Sequence, residues 1–268
     1  MIPNILSIAG SDPSGGAGIQ ADIKAISAMG GYAMAAITAL TAQNTRGVDA
    51  VRMVPPDMIA AQIATLRADI RIDAIKIGML GDAATVEVVA QALDGLEAPM
   101  ILDPVMVAKG GDRLLAADAV AALRTRLVPR AAILTPNLPE AGDILGEAEP
   151  RDLAAMREQG ARLLALGCGA VLIKGGHLAG SATDLLITPK GVTELTGARI
   201  ETSRTHGTGC SLSSALSARI GAGDPLPVAA RRAKSFVAAA IAAAGRLSVG
   251  GGHGPIHHFH EHQRERLA

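Results

Sequence analysis

Apolar residues in this chain fall into two alternating kinds of run. Compact blocks such as NILSIAG (4–10), AAITAL (35–40), AVRMV (50–54), AIKIGM (74–79), MILDPVM (100–106), AAILTPN (131–137) and AVLIKGG (170–176) read as strands. Between them, longer patterns at 19–29, 56–70, 85–96, 117–127 and 152–166 read as helices, the second with proline in its first turn. Repeated strand-then-helix units predict an α/β fold, a central mostly parallel sheet flanked by helices on both faces. After Gly175 the rhythm shortens to the hairpin-like DLLIT (184–188) and GVTELTG (191–197), followed by helices at 209–220 and 226–244. No long polar linker, internal repeat or low-complexity tract divides the chain, so residues 1–268 are expected to form one domain.

Composition narrows the function classes. The 268 residues are 49% hydrophobic and 19% charged, with 25 basic and 25 acidic side chains, so nothing advertises nucleic acid or an anionic membrane. One Tyr, two Phe and no Trp leave few aromatic faces on which bases could stack. Two cysteines, Cys168 and Cys210, suit a reducing cytoplasm better than a disulfide framework. No apolar run approaches the roughly 18–20 residues of a membrane span, and the start lacks a basic signal-like segment.

In a parallel sheet, ligands sit outside the carboxyl ends of the strands. The polar residues there are Gly10, Asp12, Gln43, Lys76, Asp103, Asn137, Glu140, Lys174 and the loop 204–210, a mixture suited to a metal–phosphate site. GTGC (207–210) opens a helix and reads either as a tight glycine turn or as a nest of inward N–H groups for an anion. A thiol in such a nest is expected to have a depressed pKa. SDPSGGAGIQAD (11–22) is a second glycine-rich loop, but it lacks the P-loop lysine and the dinucleotide spacing. Asp103, at a strand's end, can hold Mg2+ through water. NLPE (137–140) puts Asn and Glu one turn apart, facing one pocket or capping a helix. Cys168 reads as structural, and the histidine-rich GGGHGPIHHFHEH as a docked tail rather than a metal site.

Taken together, IAGSDPSGGAGIQADIKA, ALTAQNT, IKIGML, LDPVMVAKGG, LTPNLPEA, VLIKGGH, THGTGCSLSSA and GPIHHFH resemble, in order and over nearly the whole chain, the hydroxymethylpyrimidine/phosphomethylpyrimidine kinases of thiamine biosynthesis, within the ribokinase-like superfamily. The resemblance implies ATP and Mg2+, and two successive phosphorylations of 4-amino-5-hydroxymethyl-2-methylpyrimidine. It makes Cys210 the catalytic base, with Gly207, Thr208 and Gly209 supplying anion-hole amides. Asn137, Asp103 and Glu140 fall in the Mg–phosphate region, and Lys174 near the ATP phosphates. Gly10, Asp22, Gln43, Met79 and Val105 match the pyrimidine pocket, and a homodimer pairing through the strands after Gly31 is also implied. Competing readings are a pyridoxal kinase, a thiol hydrolase or acyltransferase pairing Cys210 with His206, and a non-catalytic nucleotide sensor.

Overall fold

The computed structural model describes residues 1–107, 111, 114–176, 178, 180 and 182–262. Parts of two family-like segments, residues 108–110 and 177, lie outside the described residues. Nine strands form one sheet: β1 (Asn4–Ser11), β2 (Tyr32–Gln43), β3 (Val48–Met53), β4 (Ala74–Ile77), β5 (Met100–Leu102), β6 (Ile133–Leu134), β7 (Val171–Ile173), β8 (Asp184–Thr188) and β9 (Gly191–Leu195). Their order is β3-β2-β1-β4-β5-β6-β7-β8-β9. The pairs from β2 through β7 are parallel, whereas β3, β8 and β9 run antiparallel at the edges.

Among the described residues, eight helices cover the sheet: α1 (Gly18–Ala28), α2 (Pro56–Asp69), α3 (Ala83–Ala92), α4 (Ala117–Arg126), α5 (Leu138–Leu145), α6 (Leu153–Leu164), α7 (Thr208–Gly221) and α8 (Leu226–Ala242). Side chains alternate across each strand, which explains why the apolar blocks are continuous. Leu6, Ile8, Ile75, Ile77 and Leu102 enter one core, where α2 to α6 pack. Ile5, Ala74, Ile101 and Leu172 enter the other, beneath α1, α7 and α8. None of the described helices is long and apolar enough to cross a membrane.

Differences from the sequence expectation gather at the strands' carboxyl ends. β5 and β6 stop at Leu102 and Leu134, earlier than the apolar blocks suggest. Pro104 and Pro136 follow closely and have no N–H to offer a ladder, so the chain leaves the sheet there. Helix α5 is the one helix absent from the periodicity, being only eight residues long. Its capping box was nevertheless visible in NLPE: Asn137 accepts from Glu140 N, and Glu140 accepts from Asn137 N.

β1 lies between β2 and β4 and is parallel to both, so successive connections leave it in opposite directions. That reversal opens a crevice above the strands' carboxyl ends.

Candidate active site

A cavity of about 880 Å³ occupies this crevice. Every candidate site residue named from the sequence lines it except Asp22 and, at the start of the 204–210 loop, Arg204.

Helix α7 delivers the first part of the site. Gly207, its N-cap, has φ 78°, a left-handed conformation that favours glycine. A Cβ at Gly207 would also collide with the carbonyl oxygen of Gly16, so the two glycine-rich loops pack backbone to backbone. No side chain caps α7 and its first turn holds no acidic residue; Thr208 N donates to Thr205 O at 3.3 Å, which leaves the Gly209 and Cys210 amides for an anion. A Cβ on Gly209 would stand 3.3 Å from Lys174 Nζ and 3.9 Å from Asp103 Oδ2. Gly209 therefore faces the charged floor of the cavity across a very short gap, with Thr208 and Cys210 lining the same cavity.

That floor is a lysine between carboxylates. Lys174, just beyond β7, donates to Asp103 Oδ1 at 2.8 Å and lies 3.7 Å from Glu140 Oε2. Ser213 donates to the other Asp103 oxygen at 3.1 Å. Burial would raise the Asp103 carboxyl, but Lys174 and Lys76 outweigh it and hold it below its ordinary value. Glu140 goes the other way: burial, with Asp103 adding repulsion, pushes it up to about 7 against the pull of Lys174. Burial would lower the Lys174 ammonium, yet the two carboxylates keep it charged and raise it. The NLPE segment thus fills both of its sequence readings, since Glu140 caps α5 and also faces the pocket.

Cys210 is partly exposed, in the third position of α7. The depressed pKa expected from the helix terminus does not hold: enclosure pushes the thiol up to about 11. Lys76 opposes that rise, Asp22 and Asp103 add to it, and the Gly18 N–H at the start of α1 donates to the sulfur. Cys168 is buried and also sits at about 11 through burial, its thiol 3.6 Å from the Leu163 carbonyl, consistent with a packing role.

At the other end of the cavity the wall turns apolar. Met79 lays its sulfur against Gly10, where an added Cβ would stand 2.7 Å from Sδ. Thr38 fixes that turn by donating to the Met79 carbonyl at 2.7 Å. Val105 and Gln43 complete this end. Gln43 sits at a register shift where β2 leaves β3, and its Oε1 accepts from Thr41 at 3.2 Å. Its NH2 remains available to a ligand.

Asp22 requires a correction. It is fully buried behind the wall, accepting from Ser7 (2.6 Å), Lys76 (2.8 Å) and Ser214 (2.8 Å), so this geometry gives it no direct contact with a ligand. Its partner Lys76, one of the strand-end residues singled out in the sequence, is equally buried but borders the cavity. A lone lysine inside the apolar strand AIKI was the available signal, because a buried charge demands a partner.

Asp12 and His206, both singled out in the sequence, meet in the fold. Asp12 accepts from Ser14 N, Ala17 N and His206 Nε2, all at 2.8–2.9 Å, and so ties the first glycine-rich loop to the second. The His206 ring is thereby held through Nε2 against the first glycine-rich loop. The histidine-rich tail docks as expected: His206 N bonds Gly254 O, and His258 Nε2 lies 2.8 Å from Ser211 Oγ. The described residues contain no group of three or more metal-ligating side chains.

Comparison with known proteins agrees with this arrangement. Residues 12–257 match the family described as phosphomethylpyrimidine kinase. The hydroxymethylpyrimidine/phosphomethylpyrimidine kinase of Escherichia coli is 51% identical over 96% of this chain and 97% of its own. Among solved structures, an ADP complex of Bacillus subtilis pyridoxal kinase superposes with TM-score 0.90 at 35% identity, covering 98% of this chain and 100% of that one. The phosphomethylpyrimidine kinase of Clostridium difficile gives 0.79 at 39% identity, covering 89% and 99%. An uncapped helix start beside a lysine and two carboxylates, in a chain alike to these proteins from end to end, makes this a phosphotransferase that belongs to the phosphomethylpyrimidine kinase family.

Proposed function

We propose that the protein phosphorylates 4-amino-5-hydroxymethyl-2-methylpyrimidine and then its monophosphate, with ATP as donor. The observation that carries this reading is the single cavity with a phosphate-suited floor at one end and the Gln43–Met79–Gly10 wall at the other. Gln43 can answer the ring nitrogen and amino group of an aminopyrimidine together, and Met79 offers the ring a soft apolar face. Once its own proton has left, the Cys210 thiolate accepts the hydroxyl's proton as that oxygen bonds to the terminal phosphorus and the bond to ADP breaks. The amides of Gly207, Gly209 and Cys210 hold the transferring group, with Thr208 beside them, and Lys174 with Asn137 orients the donor's phosphates.

Asp103 and Glu140 present hard carboxylate oxygens around one lysine, a donor set that fits Mg2+ held through water, where the ion would neutralise phosphate charge. A homodimer belongs to the same proposal: β2 and β3 leave Leu40 and Val51 exposed at the sheet's edge, and sedimentation of a Leu40→Glu variant as a monomer would support it.

A second reading, phosphorylation of a pyridoxine-type alcohol, is favoured by the close likeness to the pyridoxal kinase fold. Incubation with Mg-ATP and the hydroxymethylpyrimidine, alongside a pyridoxal control, separates the two. Appearance of both pyrimidine mono- and diphosphate is expected. Turnover of pyridoxal alone would transfer the protein to the second reading.

A further inference from the structure

Among the described residues, Lys76 is the largest fully buried side chain. Burying an ion pair is costly, and an apolar pair of similar volume would commonly serve the fold as well. The pair is nevertheless built with care. Asp22 is held from β1 by Ser7, from β4 by Lys76 and from α7 by Ser214. A Cβ on Gly78 would stand 2.5 Å from Lys76 Nζ, so the glycine leaves room for the ammonium. Among the described residues the ammonium makes one hydrogen bond, to Asp22, which leaves two of its three donors. Lys76 and Cys210 line the same cavity, whereas Asp22 does not.

We propose that Lys76 is a positioning residue for Cys210, its ammonium clamped by Asp22 so that a fixed counter-charge faces the thiol when it gives up its proton. The inference rests on reading Cys210 as the base. Ser214, one turn after Cys210 on α7, ties that helix to Asp22 at 2.8 Å, and the groups that act on the sulfur are Lys76 from β4, Asp22 from α1, Asp103 beyond β5, Lys174 beyond β7 and the Gly18 N–H. Lys76 favours the thiolate and Asp22 opposes it, so the two members of one pair pull the thiol in opposite directions.

The test is alkylation of Cys210 by iodoacetamide at fixed pH between 8 and 9.5, without ATP or metal, quantified on the Cys210 peptide by mass spectrometry. Below the thiol's pKa the rate follows the thiolate fraction, so a thiol ionised about ten times less reacts about ten times more slowly. Lys76→Met is expected to slow alkylation about tenfold or more, and Asp22→Asn to accelerate it. Loosened packing would expose the sulfur and accelerate both. Unchanged rates, or acceleration in both, overturns the proposal. Should Lys76→Met fail to fold around its unpaired Asp22, Asp22→Asn/Lys76→Met leaves no buried ion unpaired. It must then react more slowly than Asp22→Asn, and an equal rate overturns the proposal. Because no substrate is involved, the kinase reading fails separately: opposite changes in rate in a protein that phosphorylates no pyrimidine would sink that reading and leave the thiol coupling standing.

Discussion

The sulfur of Cys210 lies among two ammonium groups, two carboxylates and the open end of a helix, and enclosure raises it to about 11, so the thiol must ionise before it can take a proton. A base of this kind matters only where a proton must be removed. A hydroxymethyl group is a poor nucleophile at neutral pH, whereas a phosphate monoester, with a second pKa of about 6, is already largely ionised. Cys210→Ala is therefore expected to slow the first phosphorylation about 100- to 10,000-fold and the second far less. Single-turnover measurement of each step checks this, and equal losses would give the thiol a shared electrostatic role. Gln43 acts at the opposite end of the cavity. Gln43→Ala should raise the KM for the pyrimidine about 10- to 100-fold, the cost of an unmatched polar edge, with the KM for ATP unchanged. A defect confined to ATP would remove Gln43 from the pyrimidine site.

Element by element, the site depends on where helices begin. α7 starts at a left-handed glycine wedged against the first glycine-rich loop, and that start aims its amides at Lys174 and Asp103. Gly207→Ala is expected to cost about 1–2 kcal/mol from the backbone conformation alone. The collision with the Gly16 carbonyl adds to this, and turnover should fall more than pyrimidine binding. Thermal denaturation with steady-state kinetics reads both, and a fully active Gly207→Ala enzyme would exclude the amide nest from catalysis. α5 shows the same logic on a smaller scale. Asn137 and Glu140 cap each other, so the carboxylate reaches the pocket only because the helix begins there.

Over the whole molecule, the tail after α8 folds back and buries His257 and His258 beneath the start of α7. Burial, with Lys24, His257 and His260 nearby, lowers His258 to about 4. The unfolded chain would protonate this imidazole near pH 6.5. Between these values the unfolded state binds more protons, so His258 contributes stability in full above about pH 6.5, and that contribution is lost as pH falls toward 4. Its size is on the order of 3 kcal/mol. Urea unfolding at successive pH values should show a shallower acid decline for His258→Asn than for the parent chain. Identical slopes would mean that the tail is not anchored through a neutral His258.

The sequence alone determined the layered α/β fold, because strands buried on both faces must be apolar throughout and helices must carry a stripe. It also determined the two glycine loops and the family, through long segments that local chemistry constrains. It placed Asp103, Lys174 and the NLPE cap at strand ends, where a parallel sheet puts its ligands. Tertiary structure alone decided which charge meets which. Asp22 and Lys76 are 54 positions apart, and His206 and Asp12 are 194. Only the packing of α1 against α7 and β1 beside β4 turns Asp22 away from the cavity and leaves Lys76 in it. The elevated thiol was also beyond the sequence, since a helix terminus is a local feature while desolvation is set by everything packed around it.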